Sequence, residues 1–129
     1  MIVGIGIDVV RIERIRAALD RHGERARRRL FTPGELAECD KRANADECLA
    51  ARFAAKEAAL KALGTGKGPG VRWLDLEVVR DGRGPPTLTY AGKVKECAES
   101  LGVERSWVSL SHEAGMACAV VILEGVVET

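Results

Sequence analysis

Ile2-Val3-Gly4-Ile5-Gly6-Ile7-Asp8-Val9-Val10 opens the chain as an apolar run interrupted by two glycines and one acid. Strand alternation puts Val3, Ile5, Ile7 and Val9 on one face and Ile2, Gly4, Gly6 and Asp8 on the other, which reads as a buried strand. Glycines inside a strand leave room for another backbone or a ligand beside Asp8. A carboxylate at the end of such a strand is costly unless it is paired or bound to a metal. Three partners are open to it: a metal, the N-terminus of the following helix, or a nearby arginine.

Outward from that strand, Arg11 to Leu19 carries Ile12, Ile15 and Leu19 at helical spacing, and Arg25 to Leu30 continues as helix or as a basic turn. Thr32-Pro33-Gly34-Glu35 is a capping box that starts a short helix ending before Asn44. The longest helix begins at Asp46 or nearby and runs to about Leu63. Its alanines favour helix and allow close packing, and Gly64 caps its end. The second half reads as β-rich: Trp73 to Val79, a turn at Asp81-Gly82-Arg83-Gly84, and a return strand Pro86 to Tyr90. Ala91 to Leu101 is an amphipathic helix stopped by Gly102. Trp107 to His112 and Met116 to Leu123 make a hairpin around Glu113-Ala114-Gly115. Strands and helices do not alternate strictly, so the expected class is α+β, a single small domain over 1–129.

With 129 residues, 47% hydrophobic and 30% charged, the chain is long enough for a real core and too apolar for disorder. A net charge of +1 gives no bulk argument for nucleic acid, but Arg11, Arg14, Arg16, Arg21, Arg25, Arg27, Arg28 and Arg29 crowd one region. Such a face can recruit an acidic partner. No stretch is apolar enough to span a membrane, and the start lacks a basic segment followed by an apolar one, so no signal peptide is expected. Cys39, Cys48, Cys97 and Cys118 have no zinc-type spacing and read as free thiols, with the cytoplasm as the expected compartment.

The chemistry concentrates in two places. Arg52-Phe53-Ala54-Ala55-Lys56-Glu57-Ala58-Ala59-Leu60-Lys61 sets an acidic and basic stripe among small residues, followed by Gly64-Thr65-Gly66. Most Glu-x-x-x-Lys pairs are ordinary solvated ion pairs, and a helix C-terminus repels anions. Yet Asp8 and Glu57 on rigid elements near several cations point to a metal bound to a phosphorylated substrate. Gly4-Ile5-Gly6 is no dinucleotide fingerprint, because the third glycine is missing and the glycines lie inside the strand. His112 follows Ser109 and Ser111 with no acid at triad spacing, and reads as structural. His22, among the arginines, reads as solvated.

Taken together, Gly4 to Val10 with Arg14, Ala51 to Gly66, and Val108-Ser109-Leu110-Ser111-His112 resemble the holo-[acyl-carrier-protein] synthases, the small 4′-phosphopantetheinyl transferases of fatty-acid biosynthesis. Phe31-Thr32 with Glu35, and Gly84 with Pro86, add to the likeness, which spans nearly the whole chain. The resemblance implies transfer of 4′-phosphopantetheine from coenzyme A to a serine of an apo acyl carrier protein, releasing adenosine 3′,5′-bisphosphate. It implies Mg²⁺ on Asp8 and Glu57, with Lys61 stabilising or protonating the departing phosphate. Either Glu57 or a water on the metal takes the serine proton. Arg52, Phe53, Lys56, Gly64, Thr65, Gly66, Pro86 and His112 would surround coenzyme A. Arg14 and Arg21 would receive the acidic carrier protein, and the chain would form a homotrimer with sheets packed between subunits and sites at their junctions. The segment Lys41 to Glu47 matches the family poorly, so contacts to the 3′-phosphate do not carry over there. Two other readings compete: a non-enzymatic arginine-rich module for acidic protein or RNA, and a related transferase for polyketide- or peptide-synthase carriers.

Overall fold

The computed structural model describes residues 1–80, 82 and 84–126. The α+β expectation holds. In chain order the elements are β1 (Ile2–Arg11), α1 (Ile12–Leu30), α2 (Pro33–Asp40), α3 (Ala45–Leu63), β2 (Leu76–Val79), β3 (Thr87–Tyr90), α4 (Gly92–Ser100), β4 (Val103–Glu113) and β5 (Met116–Gly125). An antiparallel sheet in the order β1-β5-β4 packs one face on α3, while β2 and β3 pair as a separate hairpin. Among the described residues no helix is long and apolar enough to cross a membrane.

Alanine is what lets α3 sit so close to the sheet. A Cβ on Gly6 would lie 1.8 Å from the carbonyl oxygen of Ala58, and one on Gly4 would lie 2.1 Å from that of Ala62. Real carbon atoms cannot approach so closely, so β1 meets α3 backbone to backbone and only glycine fits at both positions. Ala54, Ala55, Ala58, Ala117, Ala119, Val121 and Leu123 fill the buried layer around this seam. The expectation that β1 is buried on both faces needs correction. Its glycine face is covered, but Ile5, Ile7 and Val9 are 61%, 61% and 53% exposed. Ile5 pairs with Ile122 and Ile7 with Val120 on β5, and Ile122 pairs in turn with Trp107 of β4, which is 51% exposed. The sheet therefore presents one open apolar face.

Local signals account for the helices. Thr32 accepts from the Glu35 amide at 3.2 Å, and the Glu35 carboxylate accepts from the Thr32 amide at 2.9 Å, closing the capping box. Gly64, at φ 77°, ends α3 in a left-handed cap. The basic stretch after Leu19 continues as helix to Leu30, broken at Gly23, where φ is 61°. Trp73–Asp75 is a single 3₁₀ turn instead of the start of a strand, so β2 begins only at Leu76. Of the expected turn, Asp81 and Arg83 lie outside the described residues. A further correction concerns the thiols. Cys39 and Cys48 form a disulfide joining the end of α2 to the start of α3, while Cys97 and Cys118 are free. No spacing rule marks this pair; the helix-to-helix turn brings them together.

Candidate functional site

The seam decides where Asp8 meets α3. Asp8 lies on the covered face of β1, and Lys61 of α3 donates to its Oδ1 at 3.0 Å and to the Ile7 carbonyl at 3.0 Å. Of the three partners open to Asp8, helix capping is not one taken, since α1 has Arg11 at its N-cap and no side-chain cap bond. Glu57 stands one turn before Lys61. Its carboxyl is pushed above the usual range by burial first and by the negative charge of Asp8 second, with Lys61 and Arg14 opposing. Asp8, Glu57, Lys61 and Arg14 therefore act on one another at the corner where β1, α1 and α3 meet.

Two carboxylates that raise each other's energy fit a divalent cation, which would relieve the repulsion. Among the described residues no cluster of three or more histidine, cysteine, aspartate or glutamate side chains could hold a metal. A cation here would take its other ligands from substrate oxygens and water, which is the habit of Mg²⁺ at phosphate sites.

A second concave region lies at the other end of α3. A cleft of about 230 Å³ is lined by Arg42, Cys48, Arg52, Arg80 and His112, among others. Arg52 is 3% exposed, and its Nη1 donates to the Cys48 sulfur at 3.1 Å. Its Nε is buried with no partner. The Arg52 pKa is lowered, chiefly by burial and then by the neighbouring charge of Arg42, with Arg80 adding to it. A buried guanidinium with an unmet donor and two more cations beside it is built to accept an anion such as a phosphate. His112, exposed at the end of β4, lies 3.2 Å from Glu47 at the rim. Arg42 and Arg80 escaped sequence reasoning: one sits in a loop and the other follows a strand, and neither belongs to a motif.

Not every expected residue reaches these two places. Lys56 is fully buried and ion-paired to Glu35 at 2.6 Å, and it also donates to the carbonyls of Leu30 at 2.8 Å and Trp73 at 3.1 Å. Burial lowers its pKa and the Glu35 carboxylate opposes that. Its ammonium is held by three protein acceptors and braces α3 against the Leu30 and Trp73 backbone. Phe53 packs against Trp73 with ring centroids 5.0 Å apart. The Thr65 and Gly66 amides both point back to the Leu60 carbonyl, at 3.2 and 3.3 Å. They complete the helix cap and are not free donors for phosphate. Pro86 is half-buried immediately before β3. On α1, Arg16 is tied to Glu13 and Asp46, and Arg27 to Glu24 and Asp40, whereas Arg14 and Arg21 are exposed.

Comparison with known proteins places this geometry in a family. Residues 4–121 match the model of the 4′-phosphopantetheinyl transferase superfamily. The chain is 49% identical over 124 residues to a holo-[acyl-carrier-protein] synthase of Koribacter versatilis, covering 96% of this chain and 99% of the relative. It superposes with a TM-score of 0.86 on the crystal structure of the Neisseria meningitidis holo-[acyl-carrier-protein] synthase, at 35% identity over 96% of this chain and 99% of that one. The Helicobacter pylori holo-[acyl-carrier-protein] synthase, solved in complex with coenzyme A, matches with a TM-score of 0.82 at 32% identity, covering 93% and 99% of the two chains. With the glycine seam, the Asp8–Glu57–Lys61 corner and these full-length likenesses in agreement, the chain belongs to the 4′-phosphopantetheinyl transferase superfamily, among its holo-[acyl-carrier-protein] synthases.

Proposed function

We propose that this protein transfers 4′-phosphopantetheine from coenzyme A to a serine of an apo acyl carrier protein, with Mg²⁺ held by Asp8 and Glu57. The observation that carries the reading is the meeting of Asp8, Glu57 and Lys61 across the glycine seam. In this reaction the serine oxygen bonds to the β-phosphorus of coenzyme A, and the bond from that phosphorus to the bridging oxygen breaks. Mg²⁺, when bound, neutralises charge developing on the leaving phosphate. Lys61 adds a fixed positive charge beside it, and the resting bond to Asp8 keeps its ammonium in place. Glu57, beside the reacting phosphorus as the second carboxylate of the corner, would take the serine proton directly or through water. Arg52, with Arg42, Arg80 and His112 around the cleft, would hold the 3′-phosphate end of coenzyme A. Phe53, Pro86 and the Gly64-Thr65-Gly66 cap would flank the rest of the molecule, and Lys56 would act through the placing of α3.

The open face formed by Ile5, Ile7, Val9, Val120, Ile122 and Trp107 supports a homotrimer in which sheets pack against one another and each site lies at a subunit junction. The expected compartment is the cytoplasm, where soluble coenzyme A and carrier protein would meet the enzyme. Mass spectrometry of an apo carrier protein incubated with this protein, coenzyme A and Mg²⁺ tests the reading. The carrier should gain the mass of one phosphopantetheine; an unchanged mass across a panel of apo carriers would overturn it.

Two roles have their own tests. Lys61→Ala should lower turnover by roughly 10²-fold while changing coenzyme A binding little, since its charge matters most as the leaving phosphate becomes negative. Calorimetry and steady-state kinetics separate the two effects, and a pure binding defect would reject the assignment. Arg14→Glu with Arg21→Glu should raise the KM for the carrier by about tenfold or more, and Arg21→Glu alone, away from the Asp8–Glu57 corner, should raise it less while leaving coenzyme A affinity unchanged. Added salt should weaken the wild-type encounter and affect the double variant less. Equal carrier association rates for both proteins at low ionic strength would remove these arginines from the docking surface.

A further inference from the structure

We propose that the Cys39–Cys48 disulfide is a redox control on the cationic cleft: oxidised, it holds Arg42 and Arg52 in place for a phosphate; reduced, it lets them go and weakens coenzyme A binding. The proposal rests on the reading of that cleft as the coenzyme A site.

Position is the first argument. The bond ties the last turn of α2 to the first turn of α3 and closes a loop with nine residues of separation. That loop supplies Arg42, Asn44 and Glu47 to the wall of the cleft, and Cys48 lines it directly. The residues from Asp40 to Asn44 are exposed, and besides the disulfide they are held by the ion pairs of Asp40 with Arg27 and of Arg42 with Glu38 and by the bond from the Arg42 amide to the Cys39 carbonyl. The cross-link joins this exposed turn covalently at both ends to the two helices it connects.

Contact is the second argument. The Cys48 sulfur is the side-chain partner of the Arg52 guanidinium, at 3.1 Å, and the Arg52 Nε has none. The state of that sulfur is therefore felt by the buried cation at the centre of the cleft. Arg42, the second cation, is held by Glu38 at 3.2 Å on the α2 side of the same bond. Cutting the cross-link removes the covalent tie between the end of α2, with Glu38 and Arg42, and the start of α3, with Arg52, and leaves the Glu35–Lys56 pair to hold the start of α2.

The chemistry balances with a dithiol reductant of the thioredoxin type. Its thiolate attacks Cys39, the Cys39–Cys48 bond breaks, and Cys48 leaves as a thiolate stabilised by Arg52. The second thiol of the reductant then displaces Cys39, so the protein ends with two thiols and the reductant with one disulfide. Oxidised glutathione reverses the exchange in two steps and leaves two molecules of glutathione. Both sulfurs are buried, so exchange proceeds through opening of the exposed loop. In a reducing compartment a disulfide of this kind is a sensor more often than a permanent staple.

The test poises the whole protein in oxidised or reduced glutathione, traps thiols with an alkylating reagent, and measures coenzyme A binding by calorimetry and transfer by kinetics. On reduction the KM and Kd for coenzyme A should rise by roughly tenfold, the weight of one charge-assisted hydrogen bond, while kcat stays within about twofold. Cys39→Ala should show the reduced-state values in both buffers, and Cys97→Ala should respond as the wild type does. Identical coenzyme A affinity in the two buffers would overturn the proposal, as would trapping of Cys39 and Cys48 as free thiols at every poise. Should Cys39→Ala fail to fold, the wild-type comparison decides alone. An absence of transfer in both states, with coenzyme A bound normally, would count against the functional reading and leave the redox measurement to stand or fall on affinity.

Discussion

Glu57→Gln is expected to lower transfer by on the order of 10²- to 10³-fold while leaving the fold at least as stable as the parent. Glutamine keeps the shape and removes the charge, so it removes the repulsion from Asp8 and the charge with which Glu57 would hold a cation. The stability side has a definite sign. Because the folded-state pKa of Glu57 is raised above its unfolded value, the folded protein binds more protons in the window between the two. Stability is therefore greatest below that window and declines as pH rises through it. The variant should lose this decline. Asp8→Asn should be equally inactive, but it also weakens the bond to Lys61, so its stability should not rise. Thermal melting across the pH window and carrier mass at limiting Mg²⁺ check the pair. Turnover within tenfold of the parent, or a Glu57→Gln protein that melts well below it, would place Glu57 in the framework instead of the site.

The second large effect concerns stability. Lys56→Met removes one partner of a fully buried ion pair and leaves the Glu35 carboxylate without its ion-pairing ammonium, with only the more distant charge of Arg52 acting on it. Breaking such a pair costs about 3–5 kcal/mol, which for a chain of this size lowers Tm by roughly 10–20 °C. Glu35 also accepts from the Val78 and Thr32 amides, so it pins β2 and the start of α2 to α3. For that reason Lys56→Met with Glu35→Leu should recover only part of the loss, since two backbone donors then lack acceptors. Urea unfolding of the three proteins measures both effects. A single variant within 1 kcal/mol of the parent, on the order of one exposed ion pair, would show that the pair is not a structural cross-brace.

What the sequence made legible was local or carried by a whole motif. The capping box at Thr32, the glycine cap of α3 and the closing hairpin each depend on neighbours in the chain, and each formed as expected. Asp8, Glu57 and Lys61 could be paired because two motifs on separate elements both carried charge among small residues. The sidedness of β1 was not legible, because an apolar face left open on the sheet has the same composition as one packed into the core. Lys56 stands in the same acidic and basic stripe as Lys61, and only its burial against Glu35 distinguishes the two. The disulfide and the cleft cations Arg42 and Arg80 depend on how α2, α3 and β2 are placed together, which no periodicity encodes.

The contact between Gly6 and Ala58 also bears on ion choice. Where side chains separate a strand from a helix, rotamer changes can open or close a gap. Here backbone meets backbone, and the gap has no such adjustment. The backbone separation of β1, which carries Asp8, from α3, which carries Glu57, is thus set at this seam by a carbonyl oxygen and a glycine carbon. If Asp8 and Glu57 hold a cation as proposed, a backbone frame of that sort would suit a small cation with strict octahedral demands better than a large, adaptable one such as Ca²⁺, which seeks more ligands and a wider cage. Two absent methyl groups would in this way act as a sieve for ionic radius.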